Sequence, residues 1–251
     1  MADEVLVETK GRVLVITLNR PDARNAINTG LAQGLTAALT QLEEDPALSV
    51  GILTGAGAGF CSGMDLKAFL SEGPPQGFQQ VIERTGFTKP LICAIEGFAM
   101  AGGLELALTC DLIVAANNAN LGIPEAGVGL FAAAGALLRL PRRVPYGVAM
   151  EMALTAEPIG AVEANRIGLV DKLAEPGSAV DEALVLAERV AKNAPLALAA
   201  SAYILRESQG RTEEEFWKFQ GPQMGKVFFS EDAKEGPRSF AEKRAPNWQG
   251  K

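Results

Sequence analysis

Two glutamates are the side chains in this sequence best suited to moving protons. Glu105 follows Gly102-Gly103-Leu104, and Glu125 lies twenty residues on, in Gly122-Ile123-Pro124-Glu125-Ala126-Gly127. Leu104, Leu106, Ala107 and Leu108 surround Glu105 with apolar neighbours, so the helix that carries it is expected to be buried. A carboxylate in such a place needs a specific partner. The chain has no histidine, which removes Ser-His and Cys-His nucleophilic catalysis, histidine metal sites and histidine proton shuttles. Acid–base work near neutral pH then falls to carboxylates, Lys, Tyr or Cys. Each glutamate alone has a plain explanation, Glu105 as a first-turn carboxylate facing a helix dipole and Glu125 as a helix start after proline. Taken together, they form a coupled pair in which one member favours the ionised state while the other holds a proton.

Two glycine-rich segments lie where such a pair needs them. Gly59-Phe60-Cys61-Ser62-Gly63-Met64-Asp65-Leu66 follows one predicted strand, and Glu96-Gly97-Phe98-Ala99-Met100-Ala101-Gly102-Gly103 follows another. Glycine lets the main chain approach a ligand closely, and the first amides of a helix have no intrahelical acceptor. Amides from both segments aimed at one point would hold a developing oxyanion. The combined chemistry is proton transfer beside a carbonyl whose enolate the amides stabilise.

The elements that must position these groups are legible in the pattern. Val5-Leu6-Val7 and Val13 to Leu18 read as a hairpin turning near Lys10-Gly11. Leu31, Leu35, Ala38, Leu39 and Leu42 mark one face of a helix from Thr29 to the Asp45-Pro46 stop. Val50–Thr54, Leu91–Ile95 and Leu112–Ala116 read as buried strands, with a helix opening at Gly102, so strands alternate with helices as in an α/β core. Gly73-Pro74-Pro75-Gln76-Gly77 is a loop by composition. From Ala126 on the chain is expected to be mostly helical, and Ser178 is the expected cap of a helix with Val180, Ala183, Leu184, Ala187 and Ala191 on one face. A boundary near Pro195 divides a core, residues 1–194, from a helical region, residues 195–251.

Composition bounds the rest. The 251 residues carry 23 Lys and Arg against 30 Asp and Glu, a net charge of −7, with 48% apolar residues. Such a chain is globular, and its acidity argues against nucleic acid or an anionic membrane as partner. The basic residues concentrate at the end, where residues 206–251 hold nine Lys or Arg against eight Asp or Glu. Cys61, Cys93 and Cys110 form no Cys-x-x-Cys pair, so no metal or redox site is expected. The start, MADEVLVETK, lacks a basic region before an apolar one, and the longest uncharged stretch, Pro46 to Met64, is broken by five glycines. A cytoplasmic protein is expected.

These residues resemble the crotonase (enoyl-CoA hydratase/isomerase) superfamily over nearly the whole chain. Leu18-Asn19-Arg20-Pro21 through Asn25-Ala26, both glycine segments, Pro124-Glu125, and Ser230-Glu231-Asp232 through Phe240-Ala241-Glu242-Lys243-Arg244 carry the resemblance. It implies a crotonase-like spiral of ββα units with a C-terminal helical trimerisation region, and self-association as a trimer or a dimer of trimers. It also implies a coenzyme A thioester substrate and no separate cofactor or metal. Carried over by position, Ser62 and Gly102 supply the oxyanion-hole amides, and Glu105 and Glu125 are the two hydratase glutamates. The coenzyme end would lie near Arg24 and Lys67, with Ala26, Cys61, Asp65 and Leu66 along the same segment and Phe240 and Lys243 arriving from a neighbouring subunit. Leu130 to Gly135 departs from the more glycine-rich stretch common after the second glutamate, and this leaves the acyl group open.

The implied reaction is hydration of a 2-enoyl-CoA. The alternatives are a Δ3,Δ2-enoyl-CoA isomerase, another reaction of the family such as that of a carnitinyl-CoA dehydratase, and a non-enzymatic acyl-CoA-binding protein. An isomerase manages with one glutamate and a silent binder needs neither, so the presence of both favours hydration.

Overall fold

The computed structural model describes residues 3–251. Antiparallel β1 (Val5–Lys10) and β2 (Val13–Leu18) open the chain, and α1 (Thr29–Glu44) follows, its first turn capped by the Asn28 side chain accepting from the Leu31 amide at 2.9 Å. Next come β3 (Val50–Gly55), α2 (Leu66–Glu72), α3 (Phe78–Glu83), β4 (Leu91–Ile95), β5 (Phe98–Met100) and α4 (Gly102–Ala107). The middle of the chain supplies β6 (Leu112–Ala116), β7 (Asn120–Gly122), α5 (Ala136–Arg139), α6 (Tyr146–Thr155), β8 (Ile159–Gly160), α7 (Ala161–Arg166) and β9 (Lys172–Ala174). The last four helices are α8 (Ala179–Ala191), α9 (Pro195–Glu207), α10 (Glu213–Phe228) and α11 (Glu231–Ala241).

The nine strands form two sheets. A six-stranded sheet runs β1-β2-β3-β4-β6-β9, parallel from β2 onward, and a small sheet runs β5-β7-β8. In the middle of the chain the spiral gives one strand to the large sheet and the next to the small one, as β4 passes to β5 and β6 to β7. Side chains alternate between the faces of a strand, and the large sheet uses both faces. Leu14, Ile16, Leu53, Cys93, Ile95 and Ile113 face the main core with α1, whereas Val13, Val15, Val50, Ile52, Ile92 and Val114 pack on Ala179, Ala183 and Ala187 of α8.

The expected strands and the helices at Thr29 and Gly102 all form. The stretch after Ala126 is mostly helical as expected, interrupted only by β8 and β9, runs of two and three residues too short to show a period of their own. Ser178, however, makes no side-chain cap. The Glu96 carboxylate accepts from Gly177 N (3.0 Å) and Ala179 N (2.8 Å) in its place, so a residue distant in sequence starts α8.

Candidate active site

The two glycine segments lie side by side. Cys61 and Ala99 form a parallel bridge, and Met100 N donates to Cys61 O at 3.0 Å. The approach is close enough to exclude side chains. A Cβ on Gly63 (φ +100°) would stand 2.8 Å from Ala101 Cβ and 3.0 Å from Gly102 N, and one on Gly103 would collide with Cys61 O. Asn25, fully buried, fastens the first segment from behind by donating to Ala56 O and Gly59 O, both at 2.9 Å. Ala101 has φ 52° and ψ −129°, a conformation that strains a residue with a Cβ. It turns the chain so that α4 begins with a free Gly102 amide beside Gly63.

One expected donor is corrected here. The Ser62 amide donates to Arg24 O at 3.1 Å and is not free to bind an oxyanion. Two residues on, Ile27 N donates to Gly63 O and Asp65 N to Ile27 O, so the Met64 amide points away from that ladder. It has no acceptor among the described residues, and a Cβ on Gly102 would lie 3.5 Å from Met64 N. The paired free amides are therefore those of Met64 and Gly102. Spacing alone carried no signal for this, because the donors at 62 and 65 are taken by carbonyls of the distant Arg24 and Ile27.

Glu105 is only 3% exposed. Its Oε1 accepts from the amides of Ala134 (2.7 Å) and Ala136 (3.0 Å), in the turn that opens α5. Burial pushes its pKa up, the Ala136 amide opposes this, and the negative charge of Glu125 raises it further. Glu125 lies in a 3-10 turn, Pro124–Val128. Burial raises its pKa as well, and its Oε2 is buried with no hydrogen-bond partner. The two acids are thus near enough to sense each other but differently served. Two main-chain donors favour the charged form of Glu105, while the orphaned oxygen of Glu125 favours a held proton.

The remaining expected residues divide. Arg24 and Lys67 are exposed on either side of the Met64 segment, and Ala26 and Leu66 flank it. Asp65 is committed to the fold. It caps α2 through Ala68 N (3.2 Å) and binds Arg20 Nη1 and Nη2, both at 3.0 Å, and these contacts hold its carboxyl below the usual range. Cys61 is fully buried, its thiol donates to Asn25 O at 3.1 Å, and burial pushes its pKa up to about 12. Both side chains brace the segment from within. Phe240, 87% exposed on α11, and Lys243 just beyond that helix lie in the C-terminal helical region. Among the described residues no three His, Cys, Asp or Glu side chains cluster as a metal site, and no helix is long and apolar enough to cross a membrane.

A two-sheet α/β spiral with paired free amides beside two carboxylates defines an enzyme of acid–base chemistry at a carbonyl. The sequence model of the enoyl-CoA hydratase/isomerase family matches residues 8–251, and the chain belongs to this family. It is 42% identical to an enoyl-CoA hydratase of Mycobacterium tuberculosis, with 99% of this chain and 97% of the relative covered. It is 39% identical to a carnitinyl-CoA dehydratase of Proteus mirabilis over the full length of both. Among solved structures, a probable enoyl-CoA hydratase/isomerase of Mycobacterium abscessus superposes with a TM-score of 0.94 at 54% identity, covering all of both chains. The crotonase-like fold expected from the sequence is thus the fold of the chain.

Proposed function

We propose that this hydro-lyase adds water across the 2,3-double bond of a 2-enoyl-CoA thioester, with Glu105 and Glu125 as its acid–base pair. The observation that carries the assignment is the unequal environment of the two glutamates, Glu105 buried and held by two amides, Glu125 half-buried with an unpartnered buried oxygen.

The thioester oxygen accepts from the amides of Met64 and Gly102. Its partial negative charge grows as the β-carbon is attacked, so these bonds strengthen in the transition state more than in the bound substrate. Glu105, ionised, takes a proton from a water poised between the two acids as that water's oxygen bonds to Cβ. Glu125, protonated, delivers its proton to Cα as the enolate collapses. Both acids lie on one side of the double bond, so the addition is syn. One proton has moved from water to Glu105 and one from Glu125 to carbon, and transfer between the glutamates restores the starting state.

Arg24 and Lys67 supply positive charge at the rim for the phosphates of the coenzyme. Phe240 and Lys243 complete the coenzyme site from a neighbouring subunit, with residues 195–251 as the self-association region of a trimer or a dimer of trimers. Exposed Trp217, Phe228, Phe229 and Phe240 on and between these helices support that assembly. Three buried free thiols suit a cytoplasmic location.

A panel of 2-enoyl-CoA thioesters, followed by loss of the conjugated enone absorbance, tests the reading. Glu105→Gln and Glu125→Gln should each lower turnover by about 10²–10⁴. Full turnover in both variants would remove the pair from the chemistry. The likeness to a carnitinyl-CoA dehydratase favours one second reading, the same proton chemistry run on a carnitinyl thioester. Including carnitinyl-CoA in the panel decides it.

A further inference from the structure

We propose that Arg139 is a positioning residue for Glu105: by holding the Ala134 carbonyl it keeps the Ala134 and Ala136 amides aimed at the Glu105 carboxylate. The inference rests on the reading of Glu105 as the ionised member of the pair.

Arg139 ends α5, one helical turn after the amides that Glu105 uses. Its Nη1 donates back to Ala134 O at 3.3 Å, and its Nη2 donates to Ile82 O in α3. The Ala134 residue is therefore gripped at both ends, with its N–H on Glu105 and its C=O on Arg139. The turn itself has only glycine where the guanidinium crosses it. Gly135 has φ +104°, and a Cβ there would collide with the Arg139 guanidinium. Arg139 is half-buried and forms no ion pair within 4 Å among the described residues. An arginine in such a place, bonded only to main-chain carbonyls, is placed to fix a loop.

The charge also reaches Glu105. Arg139 favours the ionised carboxylate from behind the turn, opposing burial and the charge of Glu125. The other groups facing the guanidinium are Glu83 of α3, Arg142 in the turn after α5, and the Cys110 thiol after α4. A neutral residue at 139 should therefore loosen the turn and leave Glu105 harder to ionise.

The test compares Arg139→Met, Arg139→Lys and Glu105→Gln in the full chain, measuring kcat, KM and the pH profile of crotonyl-CoA hydration together with thermal unfolding. Arg139→Met should lower kcat by about 10- to 100-fold with KM within about twofold of the parent. The acid limb of its profile should move to higher pH. Arg139→Lys keeps the charge but not the two-carbonyl grip, so its limb should stay near the parent position while kcat still falls. If the Met variant loses activity only in proportion to folded protein, with the limb unmoved, Arg139 is a structural residue and the inference fails. If the Met variant does not fold, the Lys variant decides through kcat per folded molecule, and a parent-like value overturns the proposal. Full activity in Glu105→Gln sinks the underlying reading, whereas an inactive Glu105→Gln beside a parent-like Arg139→Met sinks this inference alone.

Discussion

The Ser62 amide is bonded to the Arg24 carbonyl across 3.1 Å, and the amide two residues along, that of Met64, is the one proposed as oxyanion donor. Asp65 N reaches Ile27 O from the same strand. Donors at 62 and 65 are therefore spent on the fold, Gly63 N donates to Cys61 Sγ at 3.4 Å, and only the Met64 amide of this run has no acceptor among the described residues.

A main-chain donor is tested by replacing an amide with an ester. Installing the α-hydroxy analogue of methionine at 64 removes one N–H and should lower kcat by about 10²–10³. The matching ester at Ser62 removes a structural bond worth about 1 kcal/mol of stability. Its kcat should stay within several-fold of the parent. Steady-state hydration kinetics on the two esters check this, and equal losses at both positions would return the assignment to Ser62.

Gly63 gives a side-chain route to the same cavity. Its φ of +100° disfavours any Cβ, and the added methyl would press on Gly102 N at 3.0 Å and Ala101 Cβ at 2.8 Å. Gly63→Ala should therefore open the gap between the two donors and reduce kcat by at least tenfold. Gly210→Ala, in the turn between α9 and α10, is the control for backbone conformation alone. Gly210 also has positive φ, +86°, but its Cβ would meet nothing within 4 Å. Parallel kinetics and melting curves separate the two effects, since the control should lose stability without a comparable loss of kcat.

How much of this was legible in the sequence depends on the distance over which each feature is decided. The hairpin, α1 and the strands at 50, 91 and 112 follow from local periodicity, because one face of each is a continuous apolar stripe. The pairing of Glu105 with Glu125 was legible because a buried carboxylate on an apolar helix is conspicuous. The partners were not. Nothing near Glu105 announces the amides of Ala134 and Ala136, some thirty residues away, and nothing in Arg139-Leu140-Pro141-Arg142-Arg143 separates the half-buried Arg139 and Arg143 from the exposed Arg142. Ser62 was misassigned because spacing alone does not say which amides a neighbouring strand will consume.

Glu125 should expose a conflict between stability and chemistry. Its burial raises the pKa, so the folded state binds the proton more tightly than the unfolded state. Its contribution to stability is then fully present below the ordinary glutamate range and is lost as pH rises through the higher folded value. Glu125→Gln removes the half-buried charge. The variant should melt about 2–4 °C above the parent near pH 8. That advantage should shrink as pH falls toward 4, where the parent carboxyl is protonated. Calorimetry across pH checks the sign; an advantage that grows on acidification would mean that Glu125 is stabilised as the anion.

Glu96 provides a test of a purely structural carboxylate in the same neighbourhood. It lies at the junction of β4 and β5, directly before the second glycine segment, yet both its oxygens accept from amides at the start of α8. An anion at a helix N-terminus satisfies donors that the helix cannot, and its loss costs about 0.5–2 kcal/mol. Glu96→Ala should therefore lower the melting temperature, and Glu96→Gln should do so less because the amide oxygen still accepts. Neither should shift the pH profile of hydration, because the carboxylate faces α8 and not the paired amides. A displaced acid limb in Glu96→Gln would place a third acid in the proton chemistry and overturn its assignment to Glu105 and Glu125 alone.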